Sequence, residues 1–217
     1  PVRYNSILDA VGSGNTTPSR IAKRAGVNPN SVGKYLKTLS VLGIIEKVSP
    51  LGNGPTSKSS AYRLKDPLFA YWYRFVSRYL GTIEKGAEAS SYASSGQALS
   101  TYVGKQFEDV CLQWVQRESI AGRLPFSALE FGQWWGTDPD AHEETDIDIV
   151  AMNRVERELL VGECKWRNSS DETAAIKALE HRSTLLKGFS RRHFVLFTKR
   201  ETSAATRRAA ADRADLC

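Results

Sequence analysis

Two short apolar segments joined by a polar stretch place the strongest constraint on how this 217-residue chain can fold. The segments ETDIDIVAM and LLVGECKWR have the length and composition of strands, and only NRVERE lies between them. We therefore expect an antiparallel hairpin with its turn centred between Val155 and Glu156. In that register Asp148 stands opposite Glu163, and two carboxylates share one face.

Two carboxylates placed directly opposite each other repel. A divalent cation between them would remove the repulsion, and oxygen ligands of this kind suit Mg²⁺ or Mn²⁺. Lys165 follows two residues after Glu163 on the same predicted face. Asp146 shares the face predicted for Asp148 and is an alternative ligand. A register slip of one residue would turn either strand's charges to the opposite face.

The same residues also have a purely structural interpretation. Glu163 and Lys165 would form an ion pair on a solvated strand edge, and Asp146 would pair with Lys165 across the hairpin. Surface pairs of this kind contribute at most ~1 kcal/mol, so nothing would require their position after Leu159 and Val161. Because the charges continue an apolar stripe, we favour a site at the end of a sheet.

Charge is distributed unevenly along the chain. The first 66 residues hold ten basic and three acidic residues, a balance of +7, so the remainder sums to −1 within the total of +6. This asymmetry predicts an anionic partner for the N-terminal part, with double-stranded DNA as the leading candidate and a solvated basic surface as the alternative.

Several classes of protein are disfavoured by the sequence. No apolar run approaches ~18 residues, so no membrane span is expected, and no basic-then-apolar stretch occurs at the start, so no secretory signal is expected either. Three scattered cysteines do not make a disulfide framework, which predicts a cytoplasmic protein. Because the chain begins with Pro1 rather than Met, we expect a piece of a longer protein.

Residues 1–66 have the pattern of a winged helix-turn-helix domain. Three helices are predicted, the second from Pro18 to a stop at Gly26 and the third starting near Asn28, followed by a two-stranded wing. The apolar stripe expected on the third helix consists of Val32, Leu36, Leu39 and Leu42. The residues expected to contact DNA are Asn30, Ser31, Lys34, Lys37 and Thr38 on the outward face of that helix, beside Tyr35, and Lys58 on the wing.

The rest of the chain divides into a connector and a larger domain. Residues 67–96 predict an aromatic-rich helical connector. Residues 97–217 predict a helix containing Glu108, three strands, a helix and a strand, with a weakly anchored helical tail. On the second of these strands, strict alternation places Ile147 with Ile149, and Asp146 and Asp148 on the other face.

The element order resembles the PD-(D/E)xK nuclease core, which has an α+β or α/β, restriction-endonuclease-like αβββαβ fold. The whole chain is similar to the C-terminal region of archaeal and bacterial AAA/STAND-type ATPases, in which a P-loop ATPase precedes a winged helix and a nuclease-like domain. The stretches that carry the resemblance are YRLKDPLFAYWYRFV, GKQFEDVC, TDIDIVA and GECKW.

This resemblance implies a metal-dependent DNA nuclease. Asp148 and Glu163 would hold Mg²⁺ or Mn²⁺ with the carbonyl of Cys164, Glu108 would hold a second ion or its water, and Lys165 would orient the nucleophile. No G-x-x-x-x-G-K-[ST] motif occurs in the chain, so ATP is expected only in an N-terminal P-loop ATPase domain of the parent protein. The alternative is a non-catalytic DNA-binding, regulatory or protein-interaction module with a vestigial nuclease fold.

Overall fold

The computed structural model describes residues 2–52, 59–86, 89 and 96–216. These residues form helices and two β-sheets, so the chain is a mixed α and β protein. It divides into two compact units. One comprises Pro1–Ser49 and Asn53–Tyr102, and the other comprises Pro50–Gly52 and Val103–Cys217.

The first unit begins with three helices and a two-stranded antiparallel sheet, followed by a series of short helical segments. Its elements are α1 (Val2–Gly12), α2 (Pro18–Ala25), α3 (Pro29–Val41), β1 (Ile45–Val48), β2 (Ala61–Leu64), α4 (Pro67–Tyr71), a π-helix (Trp72–Val76), a 3₁₀-helix (Ser77–Tyr79) and α5 (Leu80–Ile83).

The ends of α2 and α3 follow from local sequence rules. Pro18 occupies the first turn of α2, where its missing N–H costs nothing, and Gly26 ends the helix in the left-handed region at φ 63°. The Asn28 side chain caps α3 by accepting a hydrogen bond from the amide of Asn30. These helix boundaries are confirmed as predicted.

The core of the first unit corrects two of our expectations for α3. Val32, Leu36 and Leu39 are buried as predicted, whereas Leu42 is 65% exposed because it follows the last turn of the helix. Tyr35, expected on the outward face, is only 9% exposed. Its ring packs edge-on against Tyr4, with ring centroids 5.2 Å apart.

The aromatic segment after β2 is helical but broken into short pieces. The Asp66 carboxylate caps α4 by accepting from the amides of Leu68 and Phe69. A π-helix and a 3₁₀-helix then replace regular α geometry. Gly12 of α1 lies so close to Tyr73 of the π-helix that an added Cβ would overlap the Tyr73 Cβ. This close approach requires glycine at the end of α1.

The second unit is built around a four-stranded sheet in the order β3-β4-β5-β6, with antiparallel pairs except for the parallel β5–β6 pair. The predicted order of helix, three strands, helix and strand is confirmed. The elements are α6 (Gly96–Ile120), which starts in the first unit, β3 (Glu130–Asp138), β4 (Glu143–Asn153), β5 (Glu158–Lys165), α7 (Glu172–Ser183), β6 (Arg191–Thr198) and α8 (Ala204–Ala211).

Side chains from β5 enter two separate apolar clusters. Leu159 and Val161 pack in the cluster that contains Leu179 of α7. Leu160 packs in the cluster that contains Val115 of α6. Because successive side chains of a strand point to opposite faces, the sheet is covered by α7 on one face and by α6 on the other.

The predicted hairpin register is confirmed, since Ile149 pairs with Gly162 and Asn153 pairs with Glu158. The predicted alternation along β4 is wrong. A β-bulge between Gly132 and Trp134 shifts the β3–β4 register, and Ile147 packs in the cluster of Val150 and Met152 instead of that of Ile149.

The C-terminal tail is anchored more firmly than predicted. Leu216 is 5% exposed and forms a bridge with Phe194 of β6, whose amide donates to the Asp215 carbonyl oxygen at 2.6 Å. Arg213 pairs with Asp215 and, at 2.6 Å, with Glu180 of α7. Across residues 2–52, 59–86, 89 and 96–216, no helix has the length and apolar character of a membrane span.

Candidate functional site

The candidate site lies where the pairing of β4 with β5 ends. The last paired residues on this side are Ile149 and Gly162. A Cβ added to Gly162 would lie 2.8 Å from Val195 Cγ1 and 2.9 Å from Ile149 Cβ, so the strands approach too closely there for a side chain. Asp148, one residue beyond Ile149 on β4, accepts with Oδ2 a hydrogen bond at 2.8 Å from the amide of Cys164, two residues beyond Gly162 on β5. The Asp148 carboxylate is thereby tied to the backbone beside Glu163.

Asp148 is in an unfavourable place for a negative charge. Burial, followed by the charges of Glu108 and Glu163, raises the pKa of Asp148 to about 7, against the opposing effect of the Cys164 amide. The carboxyl therefore exchanges between its neutral and ionised forms near neutral pH. A cation bound beside it would favour the ionised form.

Glu108 projects from α6, and its side chain is 15% exposed. Oε2 accepts from Lys105 Nζ at 2.5 Å, one helical turn earlier, and from Gln133 Nε2 at 2.8 Å. Burial raises the pKa of Glu108, while Lys105 and Gln133 act in the opposite direction. Gln133 lies on β3 between Gly132 and Trp134, opposite the stretch of β4 that carries the extra residue of the bulge.

Glu163 continues the apolar stripe of β5, and its side chain is only 7% exposed. Oε1 accepts from Lys165, and Oε2 accepts from Arg182 Nη2 at 2.6 Å. Arg182 lies on α7, and its Nη1 also donates to the Asp146 carbonyl oxygen at 2.6 Å. The ion pair between Glu163 and Lys165 therefore exists, but it is not on a solvated edge as the structural interpretation supposed.

Asp146, the alternative ligand, occupies a different position from the one expected. It is exposed and pairs with Trp135 across β3 and β4. Since the bulge moves Ile147 onto the face of Val150, its neighbour Asp146 points to the opposite face. Its carboxylate is the weakest of the acidic charges acting on Asp148. The ion pair that we considered between Asp146 and Lys165 is not found among the described residues.

The composition of the cluster fits a hard divalent cation. Carboxylates are the ligands that Mg²⁺ and Mn²⁺ prefer, and mutual repulsion with Glu108 and Glu163 already opposes ionisation of Asp148. A cation held by Asp148, with Glu108 and Glu163 as further ligands, would relieve that repulsion. In the present arrangement, however, no three acidic, histidine or cysteine side chains of the described residues are grouped as ligands of one ion. Lys165 and Arg182 engage Glu163 instead.

Three residues of this site were not among those predicted from the sequence. Lys105 lies three residues before Glu108 on a predicted helix, a spacing that could have identified it. Gln133 and Arg182 have no such local signal, because they meet Glu108 and Glu163 only after the sheet and its covering helix have formed.

In the first unit, α3 presents the predicted polar surface. Asn30, Lys34, Lys37 and Thr38 are exposed and Ser31 is partly exposed. The hydroxyls of Ser31 and Thr38 are used within the helix region, donating to the carbonyl oxygens of Asn28 and Lys34 at 3.0 Å.

Two cationic side chains, Lys34 of this surface and Arg3 of α1, contact Tyr35. The Lys34 ammonium lies 5.1 Å from the Tyr35 ring centroid, and Arg3 of α1 donates to the Tyr35 hydroxyl at 3.2 Å. Arg3 was not among the predicted DNA-contacting residues. Lys58, which was, lies outside the described residues.

Residues 72–176 match the DUF234 family, which is described as archaea bacterial proteins of unknown function. The matched range includes Glu108, Asp148, Glu163 and Lys165 but ends before Arg182.

An uncharacterized protein of Methanocaldococcus jannaschii is 29% identical to the chain over 171 residues, which cover 79% of the chain and 37% of that protein. The chain thus spans well under half the length of this relative. No solved structure matches the chain.

Proposed function

We propose that this chain is the DNA-binding, nuclease-like part of a larger ATPase, and that its second unit hydrolyses phosphodiester bonds with Mg²⁺ or Mn²⁺. The observation that carries the proposal is the position of Asp148 at the point where β4 and β5 separate, bonded to the Cys164 amide, with Glu163 and Lys165 on the neighbouring strand and the charge of Glu108 also acting on it. A partly buried carboxyl whose ionisation two further acids oppose is costly to ionise unless a cation binds beside it.

The sheet supports a restriction-endonuclease-like interpretation of the second unit. Its helix, three strands, helix and strand follow the order of the PD-(D/E)xK core, and the pair β5–β6 is parallel while the other pairs are antiparallel. Fold alone does not establish activity. The proposal therefore depends on the side chains at the end of β4 and β5.

The chain's own residues have distinct roles in the proposed reaction. Asp148, held by the Cys164 amide, would hold the ion, with Glu108 and Glu163 as further ligands. When bound, the ion supplies a nucleophile at neutral pH and offsets phosphate charge. The Lys165 ammonium orients the attacking water and stabilises negative charge that develops on the phosphate.

The first unit supports DNA binding by a winged helix-turn-helix. Its three helices and antiparallel two-stranded sheet have the order of that domain. The exposed Lys34 and Lys37 of α3 are suited to phosphate contacts, and Asn30 near the helix start is suited to base edges. The +7 balance of the first 66 residues favours a polyanion as partner.

The parent ATPase is proposed from the resemblance to AAA/STAND-type ATPases and from the greater length of the archaeal relative. The Methanocaldococcus jannaschii relative extends well beyond the aligned part, which covers 37% of it. An N-terminal P-loop ATPase domain of the same parent protein is therefore the expected intramolecular partner.

Plasmid cleavage tests the enzymatic proposal. The wild-type chain is expected to cut plasmid and linear DNA in the presence of Mn²⁺, and EDTA is expected to stop the reaction. Asp148→Ala removes an ion ligand and should abolish cutting, whereas Lys165→Ala should slow it by about 10²-fold. Equal residual cutting by wild type and Asp148→Ala would identify a contaminating nuclease and contradict the proposal.

A specific observation favours a second function, a DNA-binding or regulatory module without catalysis. Both oxygens of Glu163 are already engaged by Lys165 and Arg182, an arrangement that is electrostatically satisfied without an ion. This alternative predicts salt-dependent DNA affinity that falls with Lys34→Ala and is unaffected by Glu163→Ala, with no cutting by any variant. A gel-shift titration at two salt concentrations, run beside the cleavage assay, distinguishes the two functions.

A further inference from the structure

The guanidinium of Arg182 joins two strands where their backbone pairing has ended. It donates to the Asp146 carbonyl oxygen of β4 and to Glu163 Oε2 of β5, each at 2.6 Å. The Arg182 side chain is 15% exposed and that of Glu163 is 7% exposed. Water therefore screens this ion pair less than it screens a surface pair.

This pair bears directly on ion binding. Glu163 is already neutralised on Oε1 by Lys165, so Arg182 brings a second cation to the same carboxylate. An ion ligated by Glu163 would lie within a few ångströms of the guanidinium, where like charges repel strongly in a partly buried site. Because each oxygen of Glu163 already has a cationic donor, a bound ion would bring a third positive charge to the same carboxylate.

We infer that Arg182 is a positioning residue that competes with the divalent ion for Glu163. The inference rests on the proposed function, because it concerns the same ion. It accounts for the engagement of both Glu163 oxygens by cationic side chains beside Asp148, whose ionisation Glu163 opposes. Ion binding then requires Arg182 to release Oε2.

Mn²⁺ affinity of the full chain tests the inference without any cleavage. Free Mn²⁺ is measured by electron paramagnetic resonance at pH 8 in the absence of DNA. Arg182→Gln removes the charge but keeps a planar amide, and it is expected to tighten Mn²⁺ binding by about tenfold or more. Arg182→Lys keeps the charge and is expected to bind Mn²⁺ much as wild type does. Unchanged or weaker binding by Arg182→Gln would overturn the inference.

Arg191→Gln is the matched control. Arg191 pairs with Glu158 at the opposite end of β5, so its replacement also frees a buried carboxylate of the same strand from an arginine. Its Mn²⁺ affinity is expected to equal that of wild type. A gain as large as that of Arg182→Gln would mean a general charge effect and would refute competition at Glu163.

Two further variants separate the possible failures. Asp148→Asn added to Arg182→Gln should abolish the gain, and persistence of the gain would mean that the ion binds elsewhere and that the inference is wrong. If circular dichroism shows that Arg182→Gln is unfolded, Arg182→Met, which keeps the aliphatic stem, takes its place and is expected to show the same gain in Mn²⁺ affinity.

If wild type cuts DNA through Asp148 but Arg182→Gln gains no Mn²⁺ affinity, only the inference fails. If no variant binds Mn²⁺, both proposals fail.

Discussion

Asp148→Asn should stabilise the ion-free protein, because it replaces a carboxyl that is ionised at a cost by a neutral side chain of the same shape. Burial and the neighbouring acids Glu108 and Glu163 raise its pKa from 3.8 to about 7. A raised carboxyl pKa means that the folded state binds the proton more tightly than the unfolded state does. The folded protein therefore loses stability as pH rises from the pKa of Asp148 in the unfolded chain, 3.8, to its pKa in the folded protein, about 7.

The size of the effect follows from that pKa. Each pKa unit corresponds to about 1.4 kcal/mol, so the ionised Asp148 destabilises the fold by about 4 kcal/mol at pH 8. At pH 4 the group is protonated in the folded state and about two-fifths protonated in the unfolded state, so the difference between wild type and Asp148→Asn should fall to about 0.5 kcal/mol. The asparagine oxygen can still accept the hydrogen bond from the Cys164 amide.

Urea unfolding at a series of pH values in EDTA measures the effect. Wild type should lose stability relative to Asp148→Asn between pH 4 and pH 8, and Asp140→Asn, at an exposed position, should follow wild type. If Asp148→Asn is destabilised by the same amount at every pH, the carboxyl is stabilising, and the reasoning from burial and like charges is refuted. Added Mn²⁺ at pH 8 should stabilise wild type and leave Asp148→Asn unchanged.

Three further predictions concern other parts of the chain. Gly12→Ala should destabilise the first unit by about 1–3 kcal/mol in thermal unfolding, because the new methyl overlaps Tyr73. Gly33→Ala, on the open face of α3, should instead stabilise the first unit by up to about 1 kcal/mol. A loss of stability in Gly33→Ala would contradict the helical conformation described at this position. Lys34→Ala should weaken duplex binding and reduce the salt slope of the affinity by about 1, measured by fluorescence anisotropy. Glu163→Gln should leave the salt slope of the DNA affinity unchanged. If Glu163→Gln lowers the slope as Lys34→Ala does, the DNA-binding surface and the acidic site are not separate.

Much of the fold could be predicted because it follows from local rules. Pro18, Gly26 and Asn28 mark helix ends through backbone geometry and capping that involve only near neighbours. The β4–β5 register followed from a short connection between two apolar runs, which leaves little freedom in how the strands pair.

The remaining features depend on contacts between distant parts of the chain. The bulge that moves Ile147 to the other face arises from how β3 pairs with β4, and strict alternation along β4 alone contains no sign of it. Tyr35 is buried because α1 supplies Tyr4 as a partner. Arg182 reaches Glu163 only because α7 packs on the sheet, so Glu163 and Lys165 could be proposed from the sequence but Arg182 could not.

Anomalous diffraction from crystals of the chain grown or soaked in Mn²⁺ tests the central claim most directly. The account predicts a Mn²⁺ peak at ligand distance from the Asp148 carboxylate, with Glu163 turned toward the ion and its hydrogen bond from Arg182 broken. Crystals saturated with Mn²⁺ that show no peak at Asp148, and in which Arg182 still holds Glu163, would contradict it.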